Sequence, residues 1–149
     1  MISVAQYLGI YAKAKDLTPI RRVNAERICN AMNRVIALGI QEGLLFPNSP
    51  ATKHQISTDV GGFRPEDCKT GAPFSKHKEA LAGDLYAGLD DKIGQWVIKS
   101  MKDKNSALYK LALELDLAFE HPDATVGKIS RWLHIQIGTP KSGNRVYHP

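Results

Sequence analysis

The apolar residues of this chain change their period part-way along it, and that change limits the folds open to it. Between residues 19 and 42, Val23, Ile28, Met32, Val35, Ile36 and Leu38 recur at helical spacing, the pattern of a helix with one face in a core. Thr18 stands where its hydroxyl can cap that helix, and Pro19 where a missing N–H costs nothing. Residues 4–14 read as an earlier helix. Two prolines in Phe46-Pro47-Asn48-Ser49-Pro50 end the helical pattern, and residues 52–60 are polar and β-tolerant. Gly61-Gly62-Phe63-Arg64-Pro65 reads as a short strand turning into a loop, and the run through Ala80-Leu81-Ala82-Gly83-Asp84 suits a strand over residues 75–84. Helical spacing returns at residues 89–100 (Ile93, Trp96, Val97, Ile98) and 106–120 (Leu108, Leu111, Leu115, Phe119), with Ser106 placed to cap the second. Residues 129–137 alternate apolar and polar side chains, and residues 144–147 read as a last strand. Helices first and strands later, with no repeated βαβ unit, predict an α+β fold with a small antiparallel sheet packed with helices.

A length of 149 residues suits one domain spanning 1–149, large enough to bury a core and too small for two. No apolar run approaches the roughly 20 residues that span a bilayer, so a transmembrane segment is not expected. Residues 1–10 lack a basic start, an apolar stretch and a small-residue cleavage site, the parts of a secretory signal. The expectation is a protein left in the cytoplasm on synthesis. Two cysteines, Cys29 and Cys68, are too few for a disulfide scaffold or a four-cysteine metal site. The formal charge of +5 favours an acidic partner, and nucleic acid, an anionic membrane and the bacterial cell wall all qualify. The basic residues are scattered without aromatic interleaving, which argues against a specific nucleic-acid face.

Three residues carry metal-site chemistry. His77 and Asp84, seven positions apart, can reach one ion from a loop and its adjoining strand. His134 shares a strand face with Trp132 and Gln136, opposite Leu133, Ile135 and Ile137. Two imidazoles and a carboxylate make a catalytic zinc set that leaves a fourth position open. By spacing alone a hydrogen-bonded, partly buried His134 and a turn Asp84 are the commoner readings. The other histidines, His54, His121 and His148, read as solvated.

The wider pattern is more specific. Ser75-Lys76-His77-Lys78-Glu79-Ala80-Leu81-Ala82-Gly83-Asp84 resembles the S-x-H-x-x-G-x-A-x-D signature of the zinc D-alanyl-D-alanine carboxypeptidases, with Ala80 in place of the usual glycine. Gly61-Gly62-Phe63-Arg64 is similar to that family's glycine-aromatic-arginine element, and Trp132-Leu133-His134 to its aromatic-x-histidine strand. Asn24 and the ending from Gly138 through Arg145-Val146-Tyr147 also resemble small phage peptidases and endolysins. The resemblance extends to L-alanyl-D-glutamate endopeptidases and implies a Hedgehog/D,D-peptidase-like fold with the metal on its sheet. It implies zinc on His77, Asp84 and His134, and Arg64 as a catalytic and substrate-binding residue clamping a carboxylate or carbonyl. Ser75 is placed to orient its loop or touch substrate, and Trp132 to stack on substrate or pack beside the metal.

One element of the pattern is missing. Members of the family carry a catalytic carboxylate close before the final histidine, or in some branches just after it. Arg131 and Gln136 occupy those positions here, and neither accepts a proton. Glu114, Asp116, Glu120 and Asp123, on an expected helix and just beyond it, are the remaining candidates. The expected function is a monomeric zinc metallopeptidase, of D,D-carboxypeptidase or L,D-endopeptidase type. It would cut an amide bond in peptidoglycan stem peptides, acting on the wall after release or from a virion. The alternative is a zinc-retaining but catalytically impaired wall-binding or virion structural protein of the same fold.

Overall fold

The computed structural model describes residues 1–72, 74–125 and 131–148. Helix α1 (Val4–Leu8) opens on a capping box between Ser3 and Gln6 and passes into a single 3-10 turn, Gly9–Tyr11, so the expected helix over 4–14 is shorter and broken. Helix α2 (Pro19–Gln41) starts where the sequence places it, with the Thr18 hydroxyl accepting from Arg21 N–H. Its buried face runs through Ala25, Ile28, Met32, Val35 and Ile36. Val23 lies off that face and is 51% exposed, against its assignment to the stripe. The remaining elements are β1 (Ala82–Tyr86), α3 (Lys92–Lys102), α4 (Ala107–Glu114), β2 (Leu117–Glu120), α5 (Pro122–Thr125), β3 (Trp132–Ile137) and β4 (Val146–Tyr147). No helix among the described residues is long and apolar enough to cross a membrane.

The fold is α+β, with four described strands in the order β1-β3-β2-β4. Strand β3 pairs antiparallel with both β1 and β2, whereas β4 runs parallel to β2. The sheet is therefore mixed rather than wholly antiparallel.

Two sequence boundaries move where the backbone turns. The strand expected over 75–84 begins at Ala82, because residues 76–80 form tight turns closed by Ala80 N–H on the His77 carbonyl. The helix expected over 106–120 stops at Glu114. Asp116 takes a left-handed backbone (φ 52°) that aspartate tolerates better than most residues, and residues 117–120 leave as a strand. The helix expected over 89–100 begins after Asp91 and runs to Lys102. Of the strand expected over 129–137, residues 129 and 130 lie outside the described residues.

Leu85, Leu117, Phe119, Leu133 and Ile135 point to one side of the sheet and join α2 in the core. Tyr7 ties α1 to β1 through its hydroxyl, which donates to the Ala82 carbonyl at 2.7 Å. The outer edge of β1 is covered by residues 55–61: Tyr86 N–H donates to Gln55 O, Ser57 N–H to Asp84 O and Asp84 N–H to Gly61 O. That strap brings Arg64 and the His77 loop over the second face of the sheet. Cys29 and Cys68 are unpaired, and burial pushes the Cys29 thiol up to about 12.

Candidate metal centre

The register of the sheet builds the centre. Asp84 on β1 sits directly across from His134 on β3, on the face opposite the core. His77 arrives from the loop above. Asn24 of α2 anchors that loop by donating from Nδ2 to the Glu79 carbonyl at 2.9 Å, and the Ser75 hydroxyl accepts from His77 N–H at 3.3 Å. Ser75 thus orients the loop while also lining the cleft. Arg64 N–H bonds the His77 carbonyl, tying the two segments together.

Three ligand-capable atoms converge. His134 Nδ1 lies 2.8 Å from Asp84 Oδ1, His77 Nε2 lies 3.3 Å from the same oxygen, and the two ring nitrogens are 3.3 Å apart. Zinc bound at about 2.0–2.1 Å in a tetrahedron holds its donors about 3.3 Å apart. The triangle fits three corners of such a tetrahedron. All three residues are buried, at 2%, 5% and 8% exposure for His77, Asp84 and His134.

The surrounding hydrogen bonds orient the donors as metal ligands require. The Gly62 carbonyl, 2.7 Å from His77 Nδ1, can only accept, so Nδ1 carries a proton and Nε2 is the nitrogen that, in the neutral ring, turns its lone pair to the site. Gly62 has no room for a side chain: a Cβ there would stand 1.9 Å from the Tyr7 carbonyl oxygen. Burial by itself pushes the Asp84 carboxyl up, but the charge and hydrogen bonds of His77 and His134 reverse this and hold it well below the usual carboxylate range. Burial lowers the His134 imidazole, and the bond and charge of Asp84 outweigh it to leave a net rise. A proton and a metal ion therefore compete for the same imidazole.

Arg64 is buried beside these ligands. Its Nη2 donates to Asp84 Oδ2 at 2.9 Å and its Nε to the Val60 carbonyl at 2.5 Å. Its Nη1 lies 2.6 Å from where a Cβ on Gly71 would be, so glycine at 71 makes room for the guanidinium at the cleft wall. The arrangement ties the Arg64 guanidinium to the Asp84 carboxylate.

The alternation read from β3 holds: Trp132, His134 and Gln136 line the cleft, and Leu133 and Ile135 are core. The expected base candidates separate cleanly. Glu114 is exposed and held by both Nη atoms of Arg34, at 2.6 and 2.8 Å. Asp116 accepts from Thr139 and Arg145 at the turn, and Asp123 pairs with His121. Glu120 lies on β2 and lines the same cleft as His77, Asp84 and His134. Continuing the β2–β3 register, in which Phe119 faces Ile135, brings it level with His134. Burial raises its carboxyl, Asp84 adds to the rise, and the nearby imidazoles oppose it. Arg131 is turned away into an ion pair with Asp91, and Gln136 Nε2 donates to the Gly138 carbonyl.

From the sequence, Tyr147 belongs to a closing strand and to the ending that resembles phage peptidases, with no role at the site. It pairs with Glu120 across the parallel ladder, lines the cleft, and donates from its hydroxyl to Gln136 Oε1 at 2.8 Å. Only the pairing of β4 with β2 brings it there, and no local motif announces that pairing. Comparison of the chain with protein-family models, curated proteins and solved structures finds no match.

Proposed function

We propose that the chain is a zinc-dependent peptidase that hydrolyses an amide bond in peptidoglycan stem peptides, with a Hedgehog/D,D-peptidase-like fold and a role in phage lysis or entry. The observation that carries this reading is the buried triangle of His77 Nε2, Asp84 Oδ1 and His134 Nδ1, spaced as three corners of a tetrahedron. The motif resemblance around His77 and Asp84 supplies the substrate class. Zinc held there would polarise the scissile carbonyl and make water a competent nucleophile near neutral pH.

The chain's own groups divide the remaining work. Glu120 is the general base: it takes a proton from the attacking water and returns it to the departing amine, leaving a carboxylate and an amine as products. Its half-buried position raises its carboxyl, which suits proton traffic near neutral pH better than an exposed glutamate would. Arg64 holds Asp84 in its ligand orientation, and its Nη1 edge at the cleft wall meets the substrate carboxylate or carbonyl. Trp132 packs against the substrate at the cleft mouth, and Tyr147 steadies Gln136 on its floor.

The test is digestion of purified murein by the zinc-loaded protein, read by mass analysis, which reports turnover and the bond cut together. Glu120→Gln should retain zinc and lose roughly a hundredfold or more of the rate, the usual scale for a general base. Full rate in that variant removes Glu120 from the mechanism. Zinc binding without any murein cleavage by the unmutated protein replaces the enzyme with a wall-binding or virion structural protein.

A further inference from the structure

A second group of metal-ligand side chains lies at the end of the β2–β4 pair, on residues the catalytic reading does not use. Glu120 and Tyr147 are partners in the parallel ladder and line the cleft. Side chains alternate along a strand, so the next residue on each, His121 and His148, turns to the opposite face. The His121 N–H bonds the Tyr147 carbonyl at 2.7 Å and keeps the two chains in step. The rings stack with centroids 4.5 Å apart and planes at 20°. Asp123, in the first turn of α5, places its carboxylate beside both rings: Oδ1 contacts His121 Nδ1 and stands 4.0 Å from His148 Nδ1. One ligand atom from each of the three residues lies within 4.8 Å of the other two.

We propose that His121, Asp123 and His148 form a second site for a divalent transition-metal ion, zinc in the first instance, which clamps β4 to β2. Two imidazoles and one carboxylate are a donor set such ions prefer over calcium or magnesium, which take oxygen ligands. His121 Nδ1 and Asp123 Oδ1 are in direct contact, whereas the 4.0 Å from Asp123 Oδ1 to His148 Nδ1 is wider than the roughly 3.3 Å donor spacing of a closed zinc site. His148 is 66% exposed at its side chain and free of the core, so a modest rotation of its ring closes the gap. His121 is anchored by the ladder and Asp123 by α5, which leaves His148 as the closing ligand. Because the site is more open than the centre formed by His77, Asp84 and His134, it binds zinc more weakly and exchanges it faster. Its consequence is local: an ion held here fixes the strand that carries Tyr147 into the cleft.

Zinc content of the full chain, measured after equilibrium dialysis, tests this independently of the catalytic reading. The expected result is about two zinc ions per chain for the unmutated protein, and about one for His148→Ala and for Asp123→Asn, with circular dichroism confirming that each variant is folded. His134→Ala should also drop to about one, through loss of the other ion. If His148→Ala and Asp123→Asn bind as much zinc as the unmutated protein, the second site is overturned and the three residues are a surface ion pair. If the unmutated chain binds one ion and His148→Ala binds none, the second site stands and the buried centre fails.

Discussion

Arg64 is tied to the candidate metal centre through the Asp84 carboxylate. Its guanidinium occupies Asp84 Oδ2 while Oδ1 faces the two imidazoles, so the carboxylate cannot rotate. Removing one partner of a buried ion pair leaves the other charge uncompensated, at about 3–5 kcal/mol, and loss of such a supporting bond weakens metal affinity about 10–100-fold. Arg64→Ala should show both effects, in a denaturant titration and a zinc competition assay. A variant with unchanged stability and zinc affinity would reduce Arg64 to a substrate contact. Ala80 carries a different lesson. It adopts φ 57°, the left-handed backbone that glycine takes freely, at the position where the resembled signature has glycine. The methyl is fully buried in the core cluster, worth about 0.8 kcal/mol, against a left-handed penalty of about 1–2 kcal/mol that glycine would relieve. The two nearly cancel once glycine's extra chain entropy is counted. Ala80→Gly should therefore change stability by less than about 1 kcal/mol, measured by chemical denaturation, and a larger loss would mean that the methyl packing dominates.

The elements divide into those whose sequences state their period and those that do not. Helix α2 was legible because its apolar residues, its Thr18 cap and its first-turn proline agree, and β3 because its alternation separates a core face from a polar one. Strand β2 was not, since Leu111, Leu115 and Phe119 continue the helical spacing of α4 across the turn. The competing signal was present: Leu113, Leu115, Leu117 and Phe119 alternate with Glu114, Asp116, Ala118 and Glu120, a period of two that starts inside the helix. The outcome turns on Asp116, whose left-handed backbone is stabilised by contacts with Thr139 and Arg145 far along the chain. Such contacts cannot be read locally. The reassignment matters because a helical Glu120 would have shared a face with Asp116 and Leu117, whereas on a strand its side chain alternates with the buried Phe119 and turns to the cleft. Phe119 is fully buried on β2, so Phe119→Ala should cost about 3–5 kcal/mol by urea titration. A cost below about 1 kcal/mol, on the order of an exposed substitution, would contradict the placement of this strand.

At the scale of the whole molecule, one face of a small mixed sheet packs into the core and the other carries the cluster of His77, Asp84 and His134. Helix α2 covers the first, and the His77 loop, reached through the strap of residues 55–61 along the edge of β1, lies over the second. His77 and Asp84 come from a loop and its adjoining strand and His134 from a strand fifty residues on, so the cluster exists only when β1, β3 and the loop are all assembled. His77, Asp84 and His134 were named from the sequence because a motif carries two of them and strand alternation the third. Glu120 was one of four carboxylates named from the sequence, and only the pairing of β2 with β3 and β4 sets it, with Tyr147, on the cleft. Whether this assembly holds zinc is read from crystals of the zinc-loaded protein measured at the zinc absorption edge. An anomalous peak is expected about 2.0–2.2 Å from His77 Nε2, Asp84 Oδ1 and His134 Nδ1. No peak at those three atoms after zinc supplementation would contradict the proposed zinc site.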